Sequence, residues 1–213
     1  MISLLTLTQP HWARLLEECV ESAGAELQLI VQSASPEEYG RDRVRQIRMA
    51  ETEYVAFLDD DDTLEPAALD YCRDAILQYP DAGVFVTNEN LMSFDGSTKR
   101  PNVSQKTYLA AAFTPRNMHH LCVMRKSAID LEGALALHEQ FGRGIDWCLK
   151  ASAAMTHGAV HVPRVLYNWR KNDGVSAANS RWWAQNMPAV SEQIIKRWSI
   201  RPGEVATARI DRK

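Results

Sequence analysis

Tyr54-Val-Ala-Phe-Leu-Asp-Asp-Asp-Asp-Thr-Leu-Glu-Pro66 runs an apolar segment straight into four consecutive aspartates, Asp59 to Asp62. Like charges about 4 Å apart near a protein surface repel by roughly 4 kcal/mol at an effective dielectric of about 20, so such a run calls for a cation. The apolar segment has the length of a buried strand, and Thr-Leu-Glu-Pro has the form of a helix start. The carboxylates therefore fall at the carboxyl end of a strand, where open α/β sheets bind their ligands. In an extended chain Asp59 and Asp61 point to one side and Asp60 and Asp62 to the other, with residues two apart separated by about 6.7 Å. That spacing lets two carboxylates approach one hard cation, Mg²⁺ or Mn²⁺, which characteristically completes its shell with water and substrate phosphates. Asp62, with Glu65 three positions on, also spells a helix cap.

Outward from this turn the chain alternates strand and helix. Residues 2–8, 27–31, 54–58 and 83–87 read as strands. Residues 11–24 have helical spacing, with Trp12, Leu15, Leu16, Cys19 and Val20 on one face and Gly24 at the cap. Residues 41–50 predict a short basic helix, and residues 66–78 another, ended by Tyr79-Pro80. This alternation predicts an α/β fold: a Rossmann-like, mostly parallel central sheet with helices on both faces. Residues 88–115 are irregular apart from the hairpin-like Phe94-Asp-Gly96. Beyond them, residues 120–124 and 160–169 read as strands and residues 145–155 as a helix, while Trp183, Met187, Val190 and Ile194 recur at helical spacing. No repeat, low-complexity tract or linker divides the 213 residues, so a single domain is expected.

Hydrophobic residues make up 46% of the chain, enough for a substantial core, yet no apolar stretch reaches the length of a membrane span. Met1-Ile-Ser-Leu-Leu-Thr has no basic leader and is read as a first strand rather than a signal peptide. Cys19, Cys72, Cys122 and Cys148 form no CxxC pair, which suits incidental thiols in a reduced, cytoplasmic protein. The net charge of −3 is unevenly spread: residues 1–149 hold 13 Lys and Arg against 23 Asp and Glu, and residues 150–213 hold 11 against 4. The basic last third suits an anionic partner (a diphosphate, a phospholipid surface or nucleic acid) or complements the acidic front of the same domain. Lys196-Arg197 beside Trp198 leaves peripheral contact with a membrane open. Trp182-Trp183 suits stacking on a sugar or base, although the spacing through Ile194 suits core packing. His119-His120 has no third ligand at metal-binding spacing and reads as a polar strand edge.

Two families share the spelling of the acidic turn. Asp59-x-Asp61-x-Thr63-Leu64 after an apolar strand resembles the first motif of haloacid-dehalogenase-like phosphatases, in which Asp59 would be the nucleophile and Asp61 a general acid, with Thr87 in the second motif. That family places its nucleophile on the first strand, whereas two strand–helix units precede Asp59. It also needs a later acidic pair, and Asp146 stands alone.

The longer stretch Arg43-x-x-x-Ile-x-x-Ala-x-x-Glu-Tyr-Val-Ala-Phe-Leu-Asp-Asp-Asp-Asp62, continuing to Pro66, resembles inverting glycosyltransferases of the family 2 type, with the GT-A fold. The resemblance runs over residues 1–178. It implies a nucleotide-sugar-binding half in residues 1–90, an acceptor and catalytic half in 91–178 and a helical tail in 179–213. It implies that Asp59 and Asp61 form the DxD pair that holds Mn²⁺ or Mg²⁺, and that Asp60 contacts the ribose of a nucleotide-diphosphate sugar. Thr8 and Arg43 would lie beside the base and the diphosphate. A second region, Gly142-Arg-Gly-Ile-Asp-Trp-Cys-Leu-Lys150, resembles the family's late acidic pair before a helix, which makes Asp146 the general base. In a third, residues 158–176, Arg170 and Lys171 would grip the diphosphate.

The chain departs from the family pattern at three places. Gln32 and Ser33 stand where the family carries base-reading aspartates, Ile145 replaces the first acid of the late pair, and Asn172 stands where a histidine is common. These departures suit an altered donor choice, or a non-catalytic module that binds a sugar nucleotide or glycan. The acceptor, whether glycan, lipid, protein or nucleic acid, is not written in these motifs.

Overall fold

A computed structural model describes residues 1–8, 13–24, 28–32, 38–102, 120–171, 173–198 and 206–207. In chain order the elements are β1 (Ile2–Thr8), α1 (Ala13–Ala23), β2 (Gln28–Gln32), α2 (Tyr39–Met49), β3 (Tyr54–Phe57), β4 (Thr63–Leu64), α3 (Ala68–Gln78), β5 (Val84–Met92), β6 (Lys99–Asn102), β7 (Cys122–Arg125), α4 (Leu131–Phe141), α5 (Ile145–His157), β8 (Ala159–Arg170), α6 (Asp173–Trp198) and β9 (Ala206–Thr207). One sheet runs β2-β1-β3-β7-β5-β8-β4, with β6 on β5 and β9 on β8. β1 is parallel to β2 and β3, and β5 and β9 are parallel to β8. β7 lies antiparallel between β3 and β5, so those two share a direction. The sheet is therefore mostly parallel, with β4, β6 and β7 running against the rest.

Alternation along the strands supplies a core on each face. Leu5, Val55, Phe57, Val84, Val86 and Met124 pack with α2, α4, α5 and the end of α6. Their sequence neighbours Leu4, Tyr54, Ala56, Phe85 and Val123 pack with α1 and α3. Helices thus cover both faces, as the strand–helix alternation predicts. All four cysteines are buried, and none forms a disulfide. Burial pushes Cys72 and Cys148 up to about 12 and Cys122 up to about 11, so these thiols stay protonated core residues.

β5, α4 and α6 differ from expectation. β5 continues through Asn88-Glu-Asn-Leu-Met92, a segment read as irregular because Asn and Glu are poor strand formers. Here tertiary pairing overrides propensity: β8 runs alongside, and Asn90 donates to Asn168 at 2.8 Å inside the sheet. The chain then turns through Phe94-Asp-Gly96 into β6, with Asp95 accepting from Ser93 and Ser97. α4 went unread, although its signals are present: Asp130 caps it by accepting from Gly133 N at 2.8 Å, and Gly142 follows it at φ +71°. α6 starts at Asp173, earlier than the tail expected from residue 179, and buries Val190, Ile194 and Trp198 against α4 and α5. Among the described residues no helix is long and apolar enough to cross a membrane. His119, Ser33, Asn172 and Trp12 lie outside the described residues.

Candidate active site

The parallel strands deliver their carboxyl ends to one edge of the sheet. Thr8 ends β1 and pairs in register with Gln32, which ends β2 with its side chain exposed. Beside them β3 ends at Phe57, and Leu58 N donates to Leu5 O at 3.2 Å before the acidic turn begins. The four aspartates then separate by burial: Asp59, Asp60 and Asp61 are half-buried, whereas Asp62 is 1% exposed.

Asp62 does not cap a helix. The residue before α3 is Ala67, and no side chain caps it. Asp62 instead braces the turn, accepting from Tyr167 Oη at 2.7 Å through Oδ2 and from Arg170 N at 2.6 Å through Oδ1. The turn reaches β8 because β4 pairs Thr63 with Asn168 and Leu64 with Tyr167. Burial raises Tyr167 well above the ordinary tyrosine value, which keeps its hydroxyl a donor to Asp62 while it accepts from Asp59 N at 3.2 Å. Burial, then the charges of Asp61 and Asp59, raises Asp62 as well. Tyr167→Phe is expected to leave buried Asp62 short of a donor and to lower unfolding stability by about 1–3 kcal/mol, measurable by urea denaturation.

Arg170 is the second brace, and its role differs from the diphosphate contact inferred from sequence. Its side chain is 2% exposed. The guanidinium donates to Asp61 O at 2.6 Å, to Phe94 O at 2.7 Å and to Glu18 Oε2 at 2.5 Å. It therefore ties the acidic turn to α1 and to the β5–β6 hairpin. Lys171 lies with Nζ 3.5 Å from the Trp169 ring centroid, a cation–π contact.

Arg43 needs the same correction. It is 1% exposed, and its five N–H donors meet five bonds, leaving none for a diphosphate. Nη1 donates to Leu5 O and Gln46 Oε1. Nη2 donates to Asp59 Oδ1 at 2.7 Å and to Tyr39 Oη at 2.8 Å, and Nε donates to Tyr39 Oη at 3.2 Å. Nε also lies 3.1 Å from Asp146 Oδ1, an ion pair whose angle falls short of a hydrogen bond. Burial opposes the charge on Arg43, but Tyr39, Asp146 and Asp59 outweigh it and hold the guanidinium protonated. One buried cation thus joins Asp59 after β3 to Asp146 in the first turn of α5.

Asp146 reaches this point because Gly144, at φ +93°, turns the chain into α5. A Cβ on Gly144 would lie 3.1 Å from Trp183, so α6 leaves little room for a side chain there. Asp146 Oδ2 accepts from Tyr39 Oη at 3.0 Å, and the side chain stays 34% exposed, open to a reactant. Ile145 is 1% exposed in the core, so the place of a first acid is filled by packing.

A divalent cation at this turn would meet the carboxylates of Asp59 and Asp61. Burial, then the charges of Asp59 and Asp60, pushes Asp61 up to about 7, a destabilised carboxylate that a bound cation would relieve. Among the described residues no group of three or more His, Cys, Asp or Glu is arranged for a metal. Two carboxylates completed by substrate phosphates is the donor set that suits Mg²⁺ or Mn²⁺.

Of the residues singled out from sequence, Asp59, Asp60, Asp61, Thr8 and Gln32 lie at the carboxyl ends of β1, β2 and β3 and Asp146 lies in the first turn of α5, whereas Tyr39 and Tyr167, which bond to Asp146 and Asp62, were missed. Tyr39 is readable in principle, because it precedes Arg43 by four residues and so shares its helix face. Nothing local marks Tyr167, whose partners lie more than a hundred residues away.

No protein-family model matches the chain. RfbC, an O-antigen biosynthesis protein of Myxococcus xanthus, is 27% identical over 172 residues, covering 80% of this chain and 13% of that protein. The uncharacterized protein y4gI of Sinorhizobium fredii is 26% identical over 136 residues, covering 63% of this chain and 15% of its own length. The chain therefore spans about a seventh of the curated relatives it matches. Among solved structures, residues 1–349 of S. aureus TarS in complex with UDP-GlcNAc superpose with a TM-score of 0.63 at 14% identity, covering 94% of this chain and 68% of that one. The same TarS segment without that ligand gives a TM-score of 0.60 at 12% identity. At this identity the likeness shows the fold, and it is the GT-A-type fold that the glycosyltransferase resemblance implies.

Proposed function

We infer that this protein is a metal-dependent inverting glycosyltransferase that moves a sugar from a nucleotide-diphosphate donor to an acceptor hydroxyl. The observation that carries this reading is the Arg43 bridge, which brings Asp59 and Asp146, distant in sequence, to one guanidinium. Inversion is a single displacement and needs two acidic stations, one for the departing diphosphate and one for the incoming hydroxyl. Asp59 and Asp61 serve the first and Asp146 the second. The TarS complex with UDP-GlcNAc and the O-antigen biosynthesis role in the name of RfbC support the coarser part of this reading, sugar transfer from a nucleotide sugar.

The donor lies over the ends of β1, β2 and β3, with Thr8 and Gln32 toward the base and Asp60 toward the ribose. Gln32 offers an amide rather than a carboxylate, so the base it reads is left open. Asp146 takes the proton of the acceptor hydroxyl as that oxygen attacks the anomeric carbon, and the bond from that carbon to the diphosphate breaks on the opposite face. A cation on Asp59 and Asp61 would supply charge neutralisation for the leaving diphosphate. Arg43 and Arg170 hold the two stations in place without touching the donor.

A thermal-shift screen of nucleoside diphosphates and their sugars, with and without Mn²⁺, tests the reading. At about 100 times Kd, one sugar nucleotide with Mn²⁺ is expected to raise Tm by about 5–10 °C, and neither component alone is expected to do so. A trapped phospho-aspartate at Asp59, or no response to any sugar nucleotide, would overturn it. Binding without donor hydrolysis or transfer would leave a binding module instead.

A further inference from the structure

We propose that Tyr39 is a positioning residue of this site, whose hydroxyl fixes Asp146 in the orientation that receives the acceptor's proton. The proposal rests on the glycosyl-transfer reading and extends it to a residue that the acidic motifs do not include. Tyr39 opens α2 and Arg43 follows four residues later, so both side chains leave the same helix face. Asp146 lies in the first turn of α5, and the two helix starts converge. Gly40 permits the approach of neighbouring α4, since a Cβ there would lie 2.2 Å from the His138 ring.

The bonding pattern is specific. The Tyr39 hydroxyl accepts from both Nε and Nη2 of Arg43, at 3.2 and 2.8 Å, and has one proton to give. It gives that proton to Asp146 Oδ2 at 3.0 Å. Burial raises Tyr39 well above the ordinary tyrosine value, so the proton stays on the phenol. The guanidinium stacks beside the ring, with Cζ 5.1 Å from its centroid and 4.4 Å from that of Phe57. The hydroxyl is the only hydrogen-bond donor to Asp146 among the described contacts, because Oδ1 meets Arg43 as an ion pair outside hydrogen-bond geometry. Without that bond the carboxylate can turn about its last torsion, since a terminal carboxyl rotates broadly. Tyr39 also links Asp146 through Arg43 to Asp59, so the base and the acidic turn are set against each other by one hydroxyl and one guanidinium.

The test is a double-mutant cycle of Tyr39→Phe and Asp146→Asn in the full chain. It reads hydrolysis of UDP-GlcNAc, or of the sugar nucleotide selected by the thermal-shift screen, with Mn²⁺ and water as acceptor. Tyr39→Phe is expected to lower kcat by about 10- to 100-fold, the scale of a misplaced catalytic group, with KM for the donor changed less than twofold. In the Asp146→Asn background the same substitution is expected to change kcat less than twofold, because no base remains to be positioned. A general loss of folding would lower both backgrounds by the same factor. An unchanged kcat for Tyr39→Phe, or an equal loss in both backgrounds, overturns the positioning role while leaving glycosyl transfer intact. A wild-type chain that binds and turns over no sugar nucleotide overturns the underlying reading, and this proposal with it.

Discussion

Asp61→Asn is expected to abolish Mn²⁺-dependent donor binding and to lower turnover by about a thousand-fold or more, the loss of roughly 4 kcal/mol of charge stabilisation. The same substitution is expected to stabilise the metal-free protein. Both follow from one property, the rise of Asp61 to about 7 by burial and by the charges of Asp59 and Asp60. The unfolded chain releases this proton near the ordinary carboxylate value of about 4. The folded state therefore holds the extra proton between about pH 4 and pH 7. The stability linked to Asp61 is complete below pH 4 and is lost as pH rises through 7. Asparagine carries no charge to lose, so the variant without metal is expected to lose less stability than wild type between pH 4 and 8. Mn²⁺ must displace the same proton, so wild-type affinity is expected to fall about tenfold per pH unit below 7 and to level off above it. Calorimetric titration of Mn²⁺ at pH 5.5, 6.5 and 8, with thermal unfolding of both proteins, reads all of this. Unchanged donor affinity and turnover in Asp61→Asn would remove Asp61 from the metal site.

The acidic turn was legible because its signal is local. An apolar strand ending in consecutive carboxylates states its chemistry within a dozen residues, and the strands on either side follow the period-two and helical patterns that burial imposes. The same locality explains the errors. Asp62 was read from the residues after it, as a cap, while its true partners Tyr167 and Arg170 arrive from β8. Arg43 and Arg170 were read as contacts to the diphosphate, yet each is buried where carboxylate or carbonyl oxygens from several elements meet. The polar half of β5 has no propensity for a strand and is held by β8, a pairing that no local window contains. Sequence thus exposed the carboxylates of the turn, and concealed the groups that hold them in place.

Asp146→Asn is expected to bind the donor and Mn²⁺ with affinities within about twofold of wild type and to transfer sugar about 10²- to 10⁴-fold more slowly, the range of a lost general base. Donor binding is expected to survive because Asp146 stands on α5, while Asp59, Asp61, Thr8 and Gln32 stand at the ends of β1, β2 and β3. The substitution also takes one negative charge from Arg43, which retains Asp59 at 2.7 Å. Some stability is expected to go with it, and a lower kcat alone would not separate a lost base from a displaced Arg43. Azide makes the separation. As an anionic nucleophile it needs no deprotonation, so it can attack the anomeric carbon without Asp146. If Asp146 only removes a proton, azide is expected to restore turnover in Asp146→Asn and to yield a glycosyl azide of inverted configuration. In the Asp61→Asn variant azide is expected to restore nothing, because the leaving diphosphate still lacks its cation. Full transfer activity in Asp146→Asn without azide would remove Asp146 from the mechanism, and rescue with retained configuration would exclude the single displacement.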